Sequence, residues 1–181
     1  MILRLARGPS AMDNESVLAS AVLGLGSNLG DREAAIAGAI ARLEARGFRS
    51  SLPSSLYLTE PVGGPPQGYF LNAVVAGETE LSPEQLLACC LAVEQELGRV
   101  RAEPNGPRTI DVDILFMGAL RRDGPPPVIP HPRLHLRRFV LEPLAEILPG
   151  LVHPGLGKSV AELLRGCADL SSVRRFAGAH A

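Results

Sequence analysis

The sequence predicts an α+β fold, with helices packed on a mostly antiparallel sheet. Three observations predict it. Strand-forming runs occupy residues 19–25, Phe70–Thr79 and 111–116. Between them, Ile36, Ile40 and Leu43, and later Leu86, Cys90, Val93 and Leu97, recur at helical spacing. The order strand, helix, strand, strand, helix, strand is that of a ferredoxin-like βαββαβ core, here followed by a C-terminal extension.

Residues 1–17 mix small and polar residues without a period and are expected to form a disordered extension, leaving 18–181 as a single domain. The apolar run 19–25 ends at a turn, Gly26-Ser27-Asn28, and Asp31 opens a helix over 31–46 that Gly47 stops. Residues 48–59 carry strand formers without clean alternation. A proline-glycine loop at 63–68 separates them from the Phe70–Thr79 strand, so the two are expected to pair as a long-looped hairpin. Ser82, Pro83 and Gln85 mark a second helix start, as N-cap, first-turn proline and capping-box partner, and Gly98 ends that helix. After the last strand come a loop from His131, an apolar segment 139–148 and a helix over 159–165.

A chain of 181 residues with 46% hydrophobic content supports one core and leaves little for a second. With a net charge of −1 there is no overall field to recruit nucleic acid or an anionic membrane, so any anion site must be local. No apolar run reaches the roughly 18 residues of a membrane span, and Arg4 interrupts the first residues too early for a signal-peptide core. A cytosolic monomer is expected. Cys89, Cys90 and Cys167 show no metal-binding spacing and read as small reduced core residues.

The segment 98–116, GRVRAEPNGPRTIDVDILF, carries the chemistry. Asp111 and Asp113 stand two apart in a β-branched run and so share a strand face, with Val112, Ile114 and Phe116 turned the other way toward a core. Paired carboxylates need a counter-charge. Magnesium, which favours carboxylate and phosphate oxygens, accounts for the pair beside Arg99, Arg101 and Arg108, and a polyphosphate accounts for the arginines. The alternative is a solvated sheet face with ordinary surface ion pairs. The rigid turn PNGPR, which presents Arg108 three residues before Asp111, favours a site.

Other motifs carry less. Gly24 to Asn28 lacks the lysine of a phosphate loop and reads as a tight turn beside a ligand. Asn72 shares a strand face with Phe70, where a buried amide needs partners such as a planar hydrogen-bonding ring. His131 and His135 stand four apart, but Pro132 and the lack of a third ligand argue against zinc and for phosphate contact. Arg133 and Arg138 read as solvated surface, and Glu94 as an exposed helix charge beside the buried stripe.

Four ordered blocks, GLGSNLGDR, YLTEPVG with YFLNAVV, ELGRVR with NGPRTIDVDILF, and IPHPRLHLRRFVLEPLAEI, resemble the 6-hydroxymethyl-7,8-dihydropterin pyrophosphokinases of folate synthesis. The resemblance implies transfer of the β,γ-pyrophosphoryl unit of ATP to the hydroxymethyl group of a reduced pterin. It implies two magnesium ions on Asp111 and Asp113, and Arg99 and Arg108 on the phosphates during transfer. Thr59, Val62, Phe70, Asn72, Asn105 and Phe139 fall at the pterin, with Asn105 where some relatives carry an aromatic residue. Glu94, Arg101, Ile114, His131 and Arg137 fall at ATP. Two other readings stay open: a magnesium-dependent nucleotidyltransferase, which would release pyrophosphate, and a ligand-sensing or RNA-binding sheet, for which the DVD strand offers carboxylates in place of exposed aromatics.

Overall fold

The computed structural model describes residues 19–100 and 105–178. The expected N-terminal extension, residues 1–17, lies outside them. Strand β1 (Ala19–Ser27) runs antiparallel between β4 (Phe70–Thr79) and β5 (Asp111–Met117). Strands β2 (Phe48–Pro53) and β3 (Tyr57–Thr59) pair with successive parts of β4, and β6 (Val173–Arg175) lies against β3. The expected order of strands and helices is present, with the second strand in two pieces.

Alternation along β1 and β4 gives the sheet two apolar faces. Ala21, Leu23, Leu25, Leu71 and Val75 face α1 (Arg32–Glu44) and α2 (Pro83–Glu96), whose Ile36, Leu43, Leu86 and Val93 complete that core. Val22, Val74, Leu115 and Phe116 face α3 (Arg138–Ile147) and α4 (Val160–Arg165). Burying a leucine such as Leu43 or Leu86 contributes about 1.5–3 kcal/mol. That exceeds the ~1 kcal/mol of a cap, so packing holds the helices and caps set where they begin. Asp31 accepts from Ala34 N, Ser82 closes a capping box with Gln85, and Ser159 closes one with Glu162. At the end of the sheet away from Phe116 and Leu144, the second face lacks a covering helix and opens as a cleft.

Four local expectations change. Strand β1 continues to Ser27 rather than turning at Gly26, because Gly26 is paired with Asn72 on one side and Asp111 on the other. The stretch 48–59 breaks at Ser54, whose N–H donates to Val74 O (2.8 Å) while its hydroxyl accepts from Val74 N (3.0 Å). A register shift opposite Val22 and Leu23 inserts Leu115 as an extra residue in β5. Phe116 is thereby rolled to the α3 side, against the simple alternation that sent it to the other core. Finally, β6 extends the sheet beyond the elements read from sequence.

Candidate active site

The cleft has a volume of about 960 Å³ and is floored by Gly24, Gly26, Asn72, Asp111 and Asp113. Helix α2 feeds its charged end. Gly98, at φ +77°, takes the left-handed conformation that turns the chain back, and its neighbour Arg99 reaches into the site. Arg99 pairs at once with Glu94 and with Oδ1 of Asp111, while Nη1 of Arg108 lies 2.6 Å from Oδ2 of Asp111. Glu94 is buried, not exposed: its Oε1 also accepts from Val112 N at 2.9 Å, tying α2 to the start of β5. Burial opposes ionisation of Asp111, but Arg99 and Arg108 outweigh it and hold the carboxyl below the usual range.

Asp113 is in the opposite condition. It meets Arg137 and His131 at 3.9 Å, beyond hydrogen-bond reach. Although 42% of its side chain is open to the cleft, the walls thin the solvent around it. Desolvation, joined by the charge of Asp111, pushes its carboxyl up to about 6. His131 is drawn down to about 4 by burial and by Arg137 and Arg133, so its contact with Asp113 at neutral pH is not a charge pair.

The other half of the cleft combines a buried polar pair with two aromatic rings. Asn72 Nδ2 donates to Thr59 Oγ1 at 2.7 Å, both buried. A Cβ on Gly26 would stand 2.6 Å from Asn72 Oδ1, so only glycine leaves that amide in place. The Phe70 ring carries the Arg108 guanidinium 5.7 Å from its centroid, and Phe139 carries Arg137 at 5.5 Å, both in cation–π range. Asn28 links the rim loops. Its Oδ1 accepts from Arg108 N (2.8 Å) and its Nδ2 donates to Gln67 Oε1 (3.0 Å), while Gln67 Nε2 donates to Asn105 O (2.8 Å).

Of the residues singled out from sequence, Thr59, Val62, Phe70, Asn72, Glu94, Arg99, Asn105, Arg108, Asp111, Asp113, His131, Arg137 and Phe139 all line this cleft. Ile114 does not: alternation along β5 sends its side chain into the core with Leu25 and Val112. Arg101 lies outside the described residues. Arg133, read as solvated surface, lines the cleft, whereas Arg138 pairs with Glu142 at 2.9 Å. Gly26 and Asn28 belong to the GLGSN segment read as a turn beside a ligand, whereas Gln67, in the proline-glycine loop, carries no sequence signal of its own. Among the described residues, no group of three or more His, Cys, Asp or Glu side chains gathers as a metal site.

Residues 22–149 match the model of the family described as 7,8-dihydro-6-hydroxymethylpterin-pyrophosphokinase. The chain belongs to this family. The matched span contains every cleft residue named above. A pyrophosphokinase of Methylorubrum extorquens, named for 2-amino-4-hydroxy-6-hydroxymethyldihydropteridine, is 48% identical over 86% of this chain and 97% of its own length. A protein of the same name in Synechocystis is 43% identical over 80% of this chain and 74% of its own. Among solved structures, a Plasmodium falciparum HPPK-DHPS triple mutant with pteroate matches at TM-score 0.65 and 16% identity, over 84% of this chain and 44% of that one. That likeness concerns the fold, and this chain spans less than half of that protein. No helix among the described residues is long and apolar enough to cross a membrane.

Proposed function

We propose that the chain transfers the β,γ-pyrophosphoryl unit of ATP to the hydroxymethyl oxygen of 6-hydroxymethyl-7,8-dihydropterin, releasing AMP and the pterin diphosphate, a step of folate biosynthesis. One observation carries the reading. A carboxylate pair flanked by Arg99 and Arg108 lines one cleft with the buried Thr59–Asn72 pair, the Phe70 ring of β4 and the Phe139 ring of α3.

The donor set fits magnesium, which needs one or two carboxylates and completes its shell with phosphate oxygens and water. Asp113, with no cation closer than 3.9 Å among those it meets, is a carboxylate that gains from one. Asp111 and Asp113 would hold the metal, which when bound neutralises phosphate charge. With a cation bound there, Arg99 and Arg108 would be free to turn to the phosphates, where their donors would stabilise charge as the hydroxymethyl oxygen attacks the β-phosphorus and the bond from that phosphorus to the AMP oxygen breaks. Neutral His131 and charged Arg137 face the nucleotide side. Asn72 and Thr59 read the pterin edge, and Phe70 and Phe139 stack on its faces; stacking contributes about 0.5–1.5 kcal/mol per pair, so the polar edge supplies selectivity. The proposal takes residues 18–181 as one cytoplasmic, monomeric unit that depends on ATP and magnesium.

The test is incubation of the pure protein with ATP, magnesium and 6-hydroxymethyl-7,8-dihydropterin, with products separated by chromatography. AMP and a pterin diphosphate are expected. Release of inorganic pyrophosphate in place of AMP would make it a nucleotidyltransferase.

A further inference from the structure

The segment after α4 takes no part in the chemistry above, lies outside the span matched to the family, and yet touches both walls of the cleft. On one wall, Asp169 Oδ2 accepts from the backbone N–H of Arg138 at 2.9 Å. Arg138 is the first residue of α3, whose own N-cap, Arg137, provides no side-chain hydrogen bond. The other oxygen of Asp169 accepts from Ser171 N at 2.9 Å and from the Ser171 hydroxyl, which fixes the direction of the carboxylate. On the opposite wall, Glu60 N donates to Ser172 O at 3.1 Å and Ser172 N donates to Glu60 Oε2 at 3.0 Å. Val173 then pairs with Thr59 where β6 meets β3. Residues 169–173 thus run from the residue before Phe139 to Thr59 and the residue after it.

We infer that residues 169–173 brace the pterin pocket, with Asp169 a positioning residue that sets the Phe139 ring against the Thr59–Asn72 pair. The inference rests on the pterin reading of the cleft. A helix whose first amides lack a local cap frays, and a carboxylate at that end both accepts from an orphan N–H and offsets the helix dipole. Phe139 sits in that first turn, so its place depends on the cap. Arg137 precedes the turn and is held by its own N–H to Leu134 O at 3.2 Å, while Arg99 and Arg108 are held by Asp111 of β5. Loosening the brace therefore falls on the pterin before it falls on phosphoryl transfer.

In steady-state assays Asp169→Ala should raise the pterin KM roughly five-fold, the size of a lost cap, with kcat and the KM for magnesium-ATP moving by less than about two-fold. Asp169→Asn keeps one acceptor for Arg138 N but turns its NH2 toward the Ser171 N–H and loses the charge, so it should return the pterin KM only part of the way. Hydrogen exchange read by mass spectrometry should show faster exchange at the start of α3 and unchanged β4. If Asp169→Ala does not fold, Ser171→Ala removes only the hydroxyl that orients the carboxylate, leaves the Ser171 N–H bond in place, and should raise the pterin KM about two-fold, the low end for one hydrogen bond. An unchanged pterin KM, or equal losses in both KM values and kcat that Asp169→Asn does not reverse, overturns the brace. A wild-type protein that makes no AMP from pterin overturns the reading beneath it, which the exchange measurement does not depend on.

Discussion

Nη1 of Arg108 stands 2.6 Å from Oδ2 of Asp111, and Arg99 holds the other oxygen of the same carboxylate. Asp113, two residues on, meets its cations at 3.9 Å. The two acids of one motif thus sit in opposite electrostatic conditions.

Their variants should separate accordingly. Asp111→Asn and Asp113→Asn should each cut AMP formation by at least about 10²-fold, the scale of losing one element of transition-state charge stabilisation. In metal-free buffer, Asp111→Asn should lower Tm, since part-buried Arg108 loses its carboxylate and Arg99 keeps only Glu94. Asp113→Asn should leave Tm unchanged or raise it by relieving repulsion. Scanning fluorimetry reads both, and the reverse order of Tm values would contradict this charge assignment.

Arg108→Ala should lower kcat about 10²–10³-fold. Because Arg108 also lies over Phe70, a rise of a few-fold in the pterin KM should accompany it. Loss confined to KM would place Arg108 in uniform binding instead of transfer.

Gly26→Ala should drive Asn72 off Thr59, since the new methyl has 2.6 Å to the amide oxygen. A buried pair that loses its bond costs about 1–3 kcal/mol, so pterin affinity should fall about ten-fold or more while magnesium-ATP binding persists. Equilibrium titration of each ligand separately checks it.

Burial, with the neighbouring Cys89, pushes the Cys90 thiol up to about 12. At pH 8 its thiolate is about one part in 10⁴. Iodoacetamide should label the more open Cys167 in the native protein and reach Cys90 only after denaturant, as peptide mass spectrometry would show.

Glu146 on α3 accepts from Ser55 N, Ser55 Oγ and Tyr57 OH and pairs with Arg175 of β6. Burial acts to raise its carboxyl, but these partners outweigh burial and lower it. A lowered folded-state value contributes stability above the unfolded carboxyl range near 4.5, lost as pH falls through the folded value. Melting curves from pH 6 downward should therefore drop more steeply for wild type than for Glu146→Gln; parallel curves would show that the network adds nothing.

Periodicity and end signals made most of the core legible: Ile36 and Leu43, Leu86 and Val93, and the Ser82 capping box all stand where residue pattern placed them. The carboxylate face was legible because Asp111 and Asp113 precede the irregularity at Leu115, while Phe116 follows it and is rolled over. A bulge leaves no mark in a run of strand formers. Glu94 flanks the buried stripe of α2 and read as exposed because of its charge; the arrival of Val112 N and Arg99 explains its burial. Strand β6 is three residues whose existence depends on finding β3, a long-range pairing that local propensity does not encode.

Since Asp111 already occupies both Arg99 and Arg108, the charges at that end of the cleft are matched among themselves. A bare anion arriving there must evict a carboxylate from two guanidiniums. One escorted by a divalent ion brings the substitute with it, and every charge finds a new mate in a single exchange. Discrimination against stray phosphates would thus fall to Asp111, Arg99 and Arg108, three groups proposed for the transfer itself.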